Sequence, residues 1–282
     1  MATKKKPAPA APADGAAADK LWAQFCAQPQ DRELLRVYAD VLAEAGNPRG
    51  TFINLCLLDH PTPTQITAKQ TMMSKQKKLL AGPGGEFLRE FEFGPNGLVS
   101  RARTEAAQVI AGIAALQTLN PRLVLTITSV KTLKDAVAFG QVPLDGIWFV
   151  DFGWITGTHG GMNLSDKQLD AVAPALANVE HLQLSCRGTP EKCFTPAGLR
   201  KVAPQWKALR YLSIDHYPVE GLPPAGEYAK VVAESFPRLR AFDITTQPNG
   251  TGLLASGRPS RSTDEAHGQG REFADLLAAA LA

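Results

Sequence analysis

The chain predicts an α/β architecture: a small all-helical module, then a solenoid of strand and helix repeats with parallel strands inside and helices outside. Three observations carry this. Apolar residues recur at three- and four-residue spacing through the first third of the chain, strand-like phrases of one pattern recur every 30 residues or so later on, and a helix-like phrase separates each from the next. One strand with one helix cannot bury its own apolar face, and stacking copies solves that.

With 282 residues, 44% of them hydrophobic, the chain is long enough for one extended or two compact cores. Its net charge of +3 comes from 30 basic and 27 acidic residues spread through the sequence, without the dense cationic face that a phosphate backbone requires. Nucleic acid is therefore not an expected partner. Cys26, Cys56, Cys186 and Cys193 form no short CxxC pair, and a chain of this size needs no disulfide staples, which fits a reducing compartment. The N-terminus has the cationic start of a secretory signal, but Pro7, Pro9, Pro12 and Asp14 interrupt any apolar stretch. No apolar run reaches the ~18 residues of a membrane span. The expectation is a cytoplasmic, monomeric protein without metal or cofactor.

Residues 1–19 are mostly Ala, Pro and Lys and are expected to be a disordered tail. Residues 20–97 form the helical module and its joint. "ADKLWAQFCAQP" is a short helix; "DRELLRVYADVLAEAG", capped by Asp31, puts Leu34, Leu35, Tyr38, Val41, Leu42 and Ala45 on one face. Gly46 suits a left-handed helix end and Pro48 the first turn of the next helix, whose Phe52, Ile53, Cys56 and Leu57 face the same core. A basic helix, "QITAKQTMMSKQKKLLA", follows.

Residues 98–282 carry the repeats. "LVSRA" and "PRLVLTITSV" read as strands with "TEAAQVIAGIAALQTL" as the helix between them. "LDGIWFVDF", "VEHLQLSC", "LRYLSIDH" and "LRAFDITT" each place apolar residues at positions 1, 4 and 6, anchored on Ile147, Leu182, Leu212 and Phe242 at intervals of 35, 30 and 30 residues (182 − 147, 212 − 182, 242 − 212). The intervening helices are opened by Ser165 or Thr195 in two cases. "VAP" recurs at Val172 to Pro174 and Val202 to Pro204, predicting a shared bend. Residues 247–270 read as a flexible loop before a last helix, "REFADLLAAALA".

The L-x-x-L-x-L phrases resemble a leucine-rich repeat, although Arg187, Tyr217 and Gln247 stand where its asparagine or cysteine is usual. Ahead of them, "LLRVYADVLAEAGNPRGTFINL" resembles the bacterial repeat-companion domain, a helical module that precedes variable leucine-rich arrays. The departures are Val41, Asn47 and Thr51 in place of that family's Trp, Asp and acid. The resemblance implies no catalytic activity, and it transfers Tyr38, Asp40 and Arg49 only as motif positions. Asp40 and Arg49 are placed to pair across the helix corner, with Tyr38 anchoring it.

Three fragments suggest chemistry and lack its context. "GTGLLASG" fits a loose dinucleotide fingerprint without the strand and helix that must flank it. "THGG" at Thr158 to Gly161 has no accompanying G-x-S-x-G. His181, Cys186, Cys193, Asp215 and His216 gather if the repeats stack, which leaves a metal- or cysteine-dependent hydrolase as a less favoured alternative.

Strand alternation predicts the binding surface. With Leu182 and Leu184 inward, the concave row comprises Trp148 and Val150, then His181, Gln183 and Ser185, then Tyr211, Ser213 and Asp215, then Ala241, Asp243 and Thr245. Trp and Tyr dominate interface energetics. The expected function is non-catalytic binding of a protein partner through Trp148, Val150, His181, Gln183, Tyr211, Ser213, Asp215 and Asp243. An inhibitor or immunity-type regulator is the alternative.

Overall fold

A computed structural model describes residues 15–152, 162–186, 189–216, 220–246 and 252–257, with the backbone alone at 245–246 and 252–257. Two compact units divide the chain. The first holds residues 15–82 with Pro95–Leu98; the second holds Pro83–Gly94 and the described residues from Val99 onward.

The first unit contains α1 (Gly15–Ala27), α2 (Arg32–Glu44), α3 (Pro48–Cys56) and α4 (Pro63–Ala81). Helix α1 begins inside the expected tail, so residues 15–19 are helical; residues 1–14 lie outside the described set. Asp31 caps α2 by accepting a hydrogen bond from the Leu34 amide at 2.9 Å. Gly46 adopts φ +75° between α2 and α3, a conformation that costs glycine little. Phe25, Leu35, Tyr38, Ala39, Ile53, Leu57 and Leu98 form the core, with Trp22 and Leu42 against it. Gly50 lets α3 approach α2, since a Cβ there would overlap the Ala39 carbonyl. Asp40 accepts a hydrogen bond from Asn54 at 2.6 Å, while buried Arg49 lies 5.5 Å from the Trp22 ring centroid.

The second unit is a mixed α/β structure around one sheet, in which eight strands among the described residues follow chain order: β1 (Glu90–Phe93), β2 (Val99–Thr104), β3 (Val124–Ile127), β4 (Phe149–Asp151), β5 (His181–Cys186), β6 (Tyr211–His216), β7 (Ala241–Thr246) and β8 (Gly252–Gly257). Strands β2 to β7 are parallel; β1 and β8 pair antiparallel at the two edges. Residues 252–257, expected within a flexible loop, are therefore paired with β7, whereas 247–251 and 258–282 lie outside the described residues.

The helices are α5 (Ala106–Leu116), α6 (Leu133–Gly140), α7 (Asp166–Val172), α8 (Pro196–Val202) and α9 (Ala225–Ser235), each packed on the next in chain order. At both "VAP" sites the α-helix ends at the valine and passes into a 3-10 turn. A proline has no amide to continue the helical ladder. The helices also interlock: Thr195, which caps α8, donates its amide and hydroxyl to the Asp166 carboxylate of α7 at 2.7 and 2.8 Å.

The strand register corrects one alignment. Val150, rather than Ile147, pairs with Leu182, and Leu182 with Leu212 and Leu212 with Phe242, so the intervals are 32, 30 and 30 (182 − 150, 212 − 182, 242 − 212). Ile147 instead matches Val179, Leu209 and Leu239, whose amides bond three residues back in the same turn: Ile147 to Leu144, Val179 to Leu176, Leu209 to Trp206 and Leu239 to Phe236. Two apolar frames overlap in this phrase, because Leu144, Ile147, Phe149, Val150 and Phe152 are all buried. Pattern alone cannot separate Leu144-Ile147-Phe149 from Ile147-Val150-Phe152.

Candidate functional site

Alternation sorts the register into two faces. One presents Ala102, Leu125, Val150, Leu182, Leu212 and Phe242 in line. The other presents two rows: Arg101, Val124, Phe149, His181, Tyr211 and Ala241, and beyond them Arg103, Thr126, Asp151, Gln183, Ser213 and Asp243. Ser185 and Asp215 continue it. This second face is the candidate site, and it runs from arginine at β2 to carboxylate at β6 and β7.

Neighbouring parallel strands lie about 4.8 Å apart, which brings His181 and Tyr211, at equal register, into ring contact. Trp148, one residue ahead of the register partner Phe149, reaches the same imidazole from just outside β4. The Trp148 ring lies 4.0 Å from His181 between centroids. His181 in turn stacks on Tyr211 at 4.3 Å and 21°. Enclosed between the two, His181 is 4% exposed. Burial first, and the nearby Arg122 charge second, pull its pKa down to about 3. The imidazole is thus neutral at any physiological pH and serves as a stacking plate.

The polar row is held by hydrogen bonds. Thr126 donates to the fully buried Asp151 carboxylate at 3.0 Å. Ser185 donates to Asn163 at 3.5 Å, beside an isolated parallel bridge between the same residues. Asp243 is partly buried and hydrogen-bonded to Ser213; burial, reinforced by the Asp215 charge, pushes its pKa up to about 6 despite that bond. Its Oδ1 is buried without a hydrogen-bond partner among the described residues.

The expected surface needs two corrections. Val150 points to the opposite face and is fully buried; Phe149 and Asp151 take its place, a substitution legible only in the second apolar frame. His181, Tyr211, Ser213 and Asp215 do occupy the predicted face, yet they are buried, because side chains in register cover one another. Trp148, Gln183 and Asp243 retain partial exposure.

The cysteine and histidine group is divided. Cys186 and His216 share the register of the apolar face, whereas His181 and Asp215 belong to the other. The Cys186 thiol lies 3.7 Å from the Phe194 carbonyl and 4.0 Å from the Tyr228 hydroxyl, and Tyr228 donates to that same carbonyl at 2.7 Å. Burial, with Cys193 alongside, raises the Cys186 pKa well above its ordinary value. A protonated, buried thiol is a poor nucleophile and a poor ligand. His216 Nε2 is held 3.0 Å from the Pro223 carbonyl, and burial lowers its pKa. No group of three or more metal-ligating side chains occurs among the described residues. The "THGG" segment lies outside them. Of the glycine-motif region, the described residues Gly252–Gly257 form a strand.

No helix among the described residues is long and apolar enough to cross a membrane. Compared with known proteins, the sequence matches no family model and no curated relative.

Proposed function

We propose that the chain is a non-catalytic protein-binding module of the cytoplasm, whose strand and helix units stack as a leucine-rich-repeat-like solenoid behind a repeat-companion-type helical unit. The strand order and the equivalent turns closed by Ile147, Val179, Leu209 and Leu239 support the stacking. The partner is received on the sheet face that carries Trp148, Gln183 and Asp243, with Tyr211, His181, Ser213 and Asp215 as the packed layer that holds them.

The observation that carries this reading is the unbroken Trp148, His181 and Tyr211 stack beside a row of hydroxyl, amide and carboxylate groups. Rings held by neighbours lose little further entropy on binding, which is how preorganised surfaces gain affinity. The raised Cys186 pKa and the His216 contact weigh against a cysteine hydrolase. The four free cysteines suit a reducing compartment.

Affinity capture from native lysate tests it. Trp148→Ala combined with Gln183→Arg, both at partly exposed positions, is expected to abolish recovery of the partner while circular dichroism stays unchanged. Undiminished capture by that folded variant removes this face as the site.

A further inference from the structure

We infer that a second surface of the sheet unit, a groove between the turns that lead into β6 and β7, takes an acidic peptide segment of another protein through one apolar anchor side chain. It shares no residue with the face proposed above, and the two stand or fall separately.

The groove follows from the repeat. Trp206 and Phe236 occupy equivalent positions, each closing its turn onto Leu209 or Leu239, and their rings stack at 6.1 Å and 28°. With Pro204 and Pro237 they line a volume of about 200 Å³. Pockets for drug-sized ligands run to roughly 300–1,000 Å³, so this one suits a single large side chain. Trp206 Nε1 donates to the Ala173 carbonyl at 3.1 Å, so the indole asks for no further polar partner.

Charge names the rest of the ligand. Lys207 and Arg238 border the groove with exposed side chains. Neither of these cations has an ion-pair partner among the described residues, whereas helix-surface cations do: Arg200 with Glu234 at 2.7 Å and Lys201 with Asp170 at 2.8 Å. Two cations without ion-pair partners leave the rim positive. The carbonyl ends of α8 and α9 offset part of this, but a helix end carries only about half an elementary charge, less in sum than the cations. An acidic segment supplies the remainder.

A membrane surface fits less well. Membrane-seeking apolar groups protrude into the lipid boundary, whereas Trp206 and Phe236 are buried side chains that form the walls of a recess.

Calorimetry on the full chain with the peptide acetyl-Glu-Asp-Leu-Glu-Asp-amide tests the inference. Saturable one-to-one binding is expected. It should weaken about tenfold in the Lys207→Glu, Arg238→Glu double variant, as two exposed ion pairs are exchanged for repulsion, and weaken again in high salt. Both substitutions fall on exposed side chains, and circular dichroism confirms that the variant is folded. Replacing the central leucine of the peptide by glycine should abolish binding. No binding at millimolar peptide, equal binding of a lysine-flanked peptide, or binding of anionic phospholipid vesicles in preference to peptide would overturn it.

Discussion

Asp243→Asn should stabilise the chain at neutral pH and flatten its stability between about pH 4 and 6. Folding holds this carboxyl at a pKa of about 6, against 3.8 for an ordinary aspartate. In that interval the folded state binds more protons than the unfolded one, so stability from this group rises as pH falls through 6 and is complete below about 4. Above 6 the folded chain carries a buried carboxylate with an oxygen that no described group satisfies. At about 1.36 kcal/mol per pH unit, the gap of 2.2 units (6 − 3.8) amounts to about 3 kcal/mol. Asparagine keeps the shape and a hydrogen bond to Ser213 without the charge. Urea unfolding followed by circular dichroism at pH 4, 5, 6, 7 and 8 should show variant and wild type converging near pH 4 and separating by up to about 3 kcal/mol at pH 7, the variant being the more stable. A difference that does not vary with pH, or a variant less stable at pH 7, would refute the assignment of a raised carboxyl at this position.

Further outcomes follow from other contacts. Gly198→Ala drives a methyl into the Asp166 carboxylate that holds the capping residue Thr195; disturbing that cap should lower stability by about 1–2 kcal/mol in thermal unfolding. Trp148→Ala opens one side of His181, and NMR titration should find its pKa raised from about 3 toward the ordinary 6.5. Iodoacetamide at pH 8 should modify exposed Cys26 in the native chain and leave Cys186 and Cys193 unreacted until denaturant is added, as mass spectrometry would report. Gly50→Ala should separate α2 from α3 and destabilise the helical unit alone, visible as early hydrogen exchange confined to residues 32–56.

The elements that sequence reasoning missed were signalled weakly. Helix α6 opens with Thr132, which accepts from the Asp135 amide at 3.1 Å while Asp135 accepts from the Thr132 amide at 2.9 Å, so its capping box was present in "TLKD". The edge strand β1 shows alternation only over Phe91 and Phe93. Within the candidate site, Gln183, Ser213 and Asp243 were placed on their face because polar and apolar residues alternate cleanly in β5 to β7. At β4 the apolar run Ile147, Phe149, Val150 and Phe152 spans both faces and masks the alternation, hence the exchange of Val150 for Phe149 and Asp151.

Helix boundaries were written in the sequence itself: Asp31, Gly46, Pro48 and Thr195 act on amides and dihedral angles within four residues of themselves, so no distant part of the chain is needed to decide them. The register of β4, the enclosure of His181 between two rings and the unpartnered oxygen of Asp243 belong to tertiary structure. Each depends on which residues of a neighbouring strand come alongside, a choice made by packing across some 30 residues of intervening chain.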